Sequence, residues 1–313
     1  MEDFIQIVEV SPRDGIQNEK KILNTNQKLE LISRTIESGF KRIEVTSFVN
    51  PKKVPQMYDT DQLIESLPKK EKNVIEFVGL VLNERGFKRA LDSNLDIANY
   101  VIVASDTFSL RNQGATTRDN LKVLKKVFSQ AEKKIEIATT IGASFGCPFE
   151  GEISVSHLLT IVEEVSKIGL NEICLADTIG VATPKDIKTK LKAINTAFPH
   201  LKVRLHLHNT RNTGIANAWE GIEQGVVGLE SSFGGSGGCP FAPNATGNIP
   251  TEDLIYMLDR SGIHTGISLS KSIETAKWLE EQLDKTLPGF LKNTDAFPPA
   301  NNLEDFKNSK GAL

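Results

Sequence analysis

Cysteine is scarce in this 313-residue chain: Cys147, Cys174 and Cys239 are an odd number with no paired spacing, which argues against a disulfide framework and fits a reducing compartment. Blocks of like charge are missing too, and 37 Lys plus Arg against 40 Asp plus Glu leave a net charge of −3. Nothing in that balance builds a polyanion-binding face, so no nucleic acid is expected as a partner. No apolar run approaches the ~18 residues that a membrane-spanning helix needs. The opening Met1-Glu2-Asp3-Phe4 lacks the basic and apolar regions of a leader, and the closing Lys310-Gly311-Ala312-Leu313 is not a peroxisomal address. A cytoplasmic protein with no membrane partner is the expectation. No Pro/Gly/Ser-rich linker divides the chain, and no G-x-G-x-x-G follows the first strand, which disfavours an open doubly wound sheet.

What the chain does have is alternation. Short β-branched runs at residues 5–10, 42–46, 77–82, 100–104, 135–141, 172–176, 203–208 and 227–231 are each followed by a helix-length stretch. Thr183-Pro184 reads as an N-cap followed by proline at the first helical position, and Ser154 and Thr251 also read as capped starts. Eight such units predict a (β/α)8 TIM barrel, an α/β fold, over residues 1–287 as a single catalytic domain. The Asn-, Pro- and Lys-rich segment 288–313 is expected to be a short C-terminal surface extension. A chain of this length buries roughly 75% of its unfolded surface, so a full core is available.

In this fold, active sites form at the C-terminal ends of the strands. The polar residues gather there: Arg13 and Asp14 after strand one, Glu44, Thr46 and Ser47 at strand two, Asn83 after three, Ser105 and Asp106 after four, Asp177 closing six. His206 and His208 close strand seven, and a glycine-rich loop follows strand eight. Side chains at i and i+2 of a strand share a face, with Cα atoms roughly 6.5–7 Å apart. Both imidazoles can therefore converge on one cation. The run Gly234, Gly235, Gly237, Gly238 is permissive enough to act as a hinge, placing Cys239 on a mobile loop.

At these residues the chain resembles the hydroxymethylglutaryl-CoA lyase family, within the metal-dependent barrels related to isopropylmalate synthase. The matching stretches are VEVSPRDGIQNE (8–19), IEVTSFVNPKKVPQM (43–57), GCPFEGEIS (146–154), LADTIGVATP (175–184), HLHNT (206–210) and GGCPFAPNATGNIPTEDL (237–254). The resemblance implies cleavage of 3-hydroxy-3-methylglutaryl-CoA to acetoacetate and acetyl-CoA by a retro-Claisen-type reaction. Such a reaction needs a Lewis acid, a base and an enolate stabiliser. By similarity Asp14, His206, His208 and Asn248 would hold a divalent metal ion, Mg²⁺ or Mn²⁺ by the mixed oxygen and nitrogen donors. Arg13 would face the thioester oxygen and bind substrate, with Gln17 as a further hydrogen-bond partner. Glu44 and Asp177 would shape proton transfer and hold neighbouring ligands, His206 would share in catalysis, and Cys239 would donate a proton near the enolate. The resemblance also suggests a homodimer.

Two stretches depart from the family pattern. Asn209-Thr210-Arg211-Asn212 stands where Asp-Thr-Tyr-Gly is expected, and Thr140 lies where a Tyr is expected nearby. Both are expected at the substrate end, which leaves the acyl group open, since pocket walls select among acyl chains. A lyase for another 3-hydroxyacyl-CoA such as citramalyl-CoA, or a related condensing enzyme, is the alternative. A non-catalytic acyl-CoA-binding barrel has no need of Arg13, the histidine pair and Cys239 together.

Overall fold

A computed structural model describes residues 4–68, 74–132, 134–238, 247–294 and 297. Eight parallel strands close into a barrel: β1 (Gln6–Glu9), β2 (Arg42–Ser47), β3 (Glu76–Val81), β4 (Ile97–Val103) and β5 (Glu136–Gly142) are followed, after a small antiparallel hairpin β6 (Gly146–Cys147) and β7 (Gly151–Glu152), by β8 (Glu172–Asp177), β9 (Lys202–Leu207) and β10 (Gly228–Ser231). β10 pairs with β1 from Gly228↔Gln6 to Ser231↔Glu9, which shuts the sheet. The eight alternations are present. β4 starts at Ile97 rather than Tyr100, because Ala98 and Asn99 lack the branched side chains that mark a strand in sequence, yet pair with β5 and point into buried space.

The outer helices form where apolar faces meet the sheet. α1 (Thr25–Glu37) starts in a capping box between Asn24 and Gln27. It is followed by α2 (Thr60–Glu65), α3 (Glu84–Leu91), α4 (Asp106–Gln113), α5 (Thr117–Ala131), α6 (Val155–Ile168), α7 (Pro184–Ala197), α8 (Gly214–Glu223), α9 (Thr251–Arg260) and α10 (Leu269–Leu283). Ser154 caps α6, and Thr183 with Asp186 boxes the start of α7. Thr251 differs from expectation: Pro250 takes the cap position, and the Thr251 hydroxyl donates to Glu9 Oε2 at 2.6 Å. The competing buried carboxylate wins that hydroxyl.

Apolar side chains of strands and helices form one large core between sheet and helices, while Val78, Ile97 and Ala138 form a separate small cluster. Much of the barrel's lower layer is ionic. Arg42 of β2 bonds Glu76 and Glu172 at 2.7 Å each, and Arg204 of β9 bonds Glu172 at 2.5 Å and Glu230 at 3.0 Å. The start of the expected surface extension is packed: Gly289 N–H donates to Gly234 O at 2.8 Å, Leu291 N–H to Asp253 at 2.8 Å, and buried Lys292 pairs with Glu280. Among the described residues no helix is long and apolar enough to cross a membrane.

Candidate active site

A cavity of about 160 Å³ opens at the C-terminal mouth of the barrel, and Arg13, Asp14, Gln17, His206 and His208 line it together. Arg13 and Asp14 come from one wide helical turn of the π type, Ser11–Gly15, directly after β1, and turns of this kind recur at functional sites. Buried Arg13 pairs with Glu44 of β2 through Nε and Nη2 and with Asp14 through Nη1. Of the five N–H groups of a guanidinium this leaves two to face a ligand. Glu44 is held in turn by Asn99 Nδ2 at 3.2 Å, and Asn99 Oδ1 accepts from Thr140 at 3.1 Å. Burial pushes the Glu44 carboxyl up despite its guanidinium neighbour, with Glu230 and Asp14 adding to the effect.

Asp14 sits among cationic and hydrogen-donating groups that outweigh its burial. Arg13, the two imidazoles and the Asn248 amide hold its carboxyl well below the usual carboxylate range. His206 Nε2 and His208 Nε2 face each other at 3.1 Å, and each lies 3.9 Å from Asp14 Oδ2. Asn248 is brought in by a bridge to His208 just past β9 and donates to Asp14 Oδ2 at 2.8 Å. Gly237 makes that approach possible: its φ is +114°, and a Cβ there would lie 2.7 Å from Asn248 Nδ2.

These residues fit a cation. Among the described residues, Asp14, His206 and His208 offer ligand atoms all within 4.8 Å of one another. Asn248 Oδ1 is buried with no hydrogen-bond partner beside Asp14, a state that needs an explanation in a protein interior. Charge points the same way: Asp14 and Glu44 both lean on the one guanidinium of Arg13, while the nearby Glu230 is shared between Arg204 and His206. The imidazoles are tuned apart. Burial, reinforced by His206, pushes His208 down to about 4, whereas at His206 burial is outweighed by Glu230, which raises it.

Several expected site residues serve elsewhere. Both Asp177 oxygens accept backbone N–H groups, from Val181 and Ala182 at 3.0 Å each; this carboxylate shapes its own loop and does not line the cavity, although its charge reaches His206. Asn83 and Ser105 cap α3 and α4, and Asp106 accepts from Thr117 N–H. The 209–212 departure does not face the substrate end either: Asn209 accepts from Gly214 N–H, Arg211 donates to Ile179 O and Gly180 O at 2.9 Å, and Asn212 turns the chain at φ +58°. Thr140 does line the cavity. Gln17 lines it too, with Oε1 accepting from Ser47 at 3.1 Å. The glycine run is packed rather than open. Gly234 and Gly235 are buried, and a Cβ on Gly234 would meet Leu287 at 2.5 Å. Cys239 lies outside the described residues.

Sequence reasoning missed Glu230, whose Oε2 accepts from His206 Nδ1 at 2.8 Å. The available signal was a charged residue between Leu229 and Ser231 on an otherwise buried strand, one strand away from the histidines.

The HMGL-like family model matches residues 4–279. The chain is 39% identical over 298 residues to the (R)-citramalyl-CoA lyase of Chloroflexus aurantiacus, covering 92% of this chain and 94% of that one. It is 36% identical over 306 residues to the hydroxymethylglutaryl-CoA lyase YngG of Bacillus subtilis, covering 97% and 98%. A solved HMG-CoA lyase from Acinetobacter baumannii, in complex with coenzyme A and 3-methylmalate, superimposes with a TM-score of 0.91 at 36% identity over 96% of this chain and 98% of that one. A barrel of this closeness, with a metal-fitting cluster and a buried arginine at its mouth, makes the chain a carbon–carbon lyase that belongs to the HMGL-like family.

Proposed function

We propose that the chain cleaves 3-hydroxy-3-methylglutaryl-CoA, or a close 3-hydroxyacyl-CoA relative, to acetyl-CoA and a keto acid. The observation that carries this reading is the convergence of Asp14, His206 and His208 within 4.8 Å beside Arg13 at one cavity. The C2–C3 bond breaks, its electron pair passes to C2 as the acetyl-CoA enolate, the C3 hydroxyl loses its proton and becomes the ketone, and C2 takes up a proton. Asp14, His206, His208 and Asn248 would hold Mg²⁺ or Mn²⁺, which supplies Lewis acidity at the C3 oxygen when bound. Arg13 presents its two free N–H groups to the thioester oxygen as charge develops there, and Glu44 with Asp14 fixes the plane of that fork. Gln17 offers its amide N–H to substrate from the same wall. By family likeness Cys239 protonates C2. Substrate should then protect it from alkylation, and equal labelling with and without saturating ligand would remove that role.

Citramalyl-CoA is the second reading, favoured by the relative at 39% identity and by the cavity wall of Leu80, Leu82, Val101 and Phe108, which offers no cation to a carboxylate one methylene further out. Lys20 and Lys21 flank an adjoining cavity of about 520 Å³ that could take the coenzyme A phosphates, with Lys285 there paired to Glu19. A cytoplasmic homodimer is the setting we infer. Acetyl-CoA release from a panel of 3-hydroxyacyl-CoA thioesters tests the activity and separates the two substrates. Activity on none of them, in either direction, would overturn it.

A further inference from the structure

The layer beneath the candidate metal ligands carries an inference about which nitrogen of His206 is available to a cation. Glu230 is buried and divides its two oxygens between opposite neighbours: Oε1 accepts from Arg204 Nε at 3.0 Å below, and Oε2 meets His206 Nδ1 at 2.8 Å above. Arg204 and His206 stand two apart on β9, hence on the same face, and Glu230 pairs with His206 across β9 and β10. Arg204 is itself fixed by Glu172, which Arg42 holds from the other side.

We propose that Glu230, locked by Arg204, is a positioning residue that sets His206 as the Nδ1–H tautomer, so that bare Nε2 faces Asp14 and His208. The argument is one of donors and acceptors. An ionised carboxylate only accepts, so Nδ1 must carry the hydrogen and Nε2 is left with its lone pair. Guanidinium only donates, so the oxygen facing Arg204 cannot be exchanged for an N–H group. In Glu230→Gln, Arg204 therefore draws the amide oxygen to itself, the NH2 group turns to His206 Nδ1, and the hydrogen moves to Nε2, where it blocks ligation.

This proposal rests on the cation reading of the site, and its test has two separate readouts. In ¹⁵N-histidine-labelled protein without added metal, at a pH high enough to keep the ring neutral, NMR should show His206, assigned by loss of its signal in His206→Gln, as Nδ1–H. Glu230→Gln should switch it to Nε2–H. Calorimetric titration with Mn²⁺ should show affinity falling about 10- to 100-fold in Glu230→Gln. The double variant Arg204→Met/Glu230→Gln frees the amide to turn its oxygen to His206 and should restore Nδ1–H. An Nε2–H parent, or a Glu230→Gln protein with parental tautomer and parental Mn²⁺ affinity, overturns the proposal. A parent that binds no Mn²⁺ while showing Nδ1–H overturns the cation reading and leaves the tautomer control standing.

Discussion

Buried charge occupies both ends of the barrel interior, and the two ends treat it differently. Below, Arg42 and Arg204 meet Glu76, Glu172 and Glu230, each guanidinium shared between two carboxylates, with Glu136 of β5 3.8 Å from Arg42. Above, Asp14 and Glu44 share Arg13 while Asn248 Oδ1 keeps unspent hydrogen-bonding capacity. A closed set of pairs holds strands in register. An open set keeps donors and acceptors that a ligand can use, at some cost in stability.

That contrast is breakable, beginning with the largest expected effect. Arg42→Leu removes the buried guanidinium that Glu76 and Glu172 share; both carboxylates keep some contact with water, so it should cost about 3 kcal/mol of stability, the low end for a broken buried pair, read by urea denaturation. Mn²⁺ affinity of the surviving folded protein should be unchanged, and a loss there would mean that the two ends are not separable. Arg13→Lys keeps the charge and loses the planar fork, and should lower kcat about 100- to 1000-fold with KM little changed, measured by steady-state assay. Full activity would make Arg13 a strut like Arg42. His208→Ala should weaken Mn²⁺ binding by about 100-fold or more while Tm falls only modestly, since the ring leaves a cavity but takes an unpaired buried nitrogen with it. A large fall in Tm would put His208 with the lower, structural set.

The smallest effect sharpens the comparison at the rim. Glu9 and Glu252 are buried and raised from 4.5 to about 7 and about 8 by desolvation, although Ser11, Thr251 and Phe233 donate to Glu9 and Gly234 to Glu252. The folded state then keeps protons that the unfolded state releases, so stability is full below 4.5 and falls as pH rises from 4.5 through about 7 to 8. Glu252→Gln should flatten that decline and add on the order of 1 kcal/mol at pH 8, about 2 °C in Tm. A parental pH slope would show that Glu252 is ionised in the fold.

How far these features can be read from the chain depends on what each residue's neighbours are. The barrel is legible because a strand buried on both faces writes itself as a β-branched run, and only β4, opening on Ala98 and Asn99, hides its start. His206 and His208 are legible because strand periodicity puts them on one face. Glu230 and Arg204 are not, since their partners lie on an adjacent strand and a single charged residue in a strand reads equally well as a solvated edge. A polar residue at a strand's C-terminal end satisfies backbone N–H groups as readily as it binds substrate, and Asp177, Asn83 and Ser105 all do the first here.

Asp14 follows the first strand and Asn248 follows the last, 234 residues apart, and they touch across the junction where β10 meets β1. The site therefore straddles the seam of the barrel and is complete only once Asn248, late in the chain, has been made. A nascent chain that has emitted both histidines still lacks the far half of the clasp. A cation that binds only the finished seam would draw late folding forward by mass action, worth about 2.7 kcal/mol at a concentration one hundred times its dissociation constant. Metal scarcity during synthesis would then show itself as barrels left ajar, before it showed itself as slow turnover.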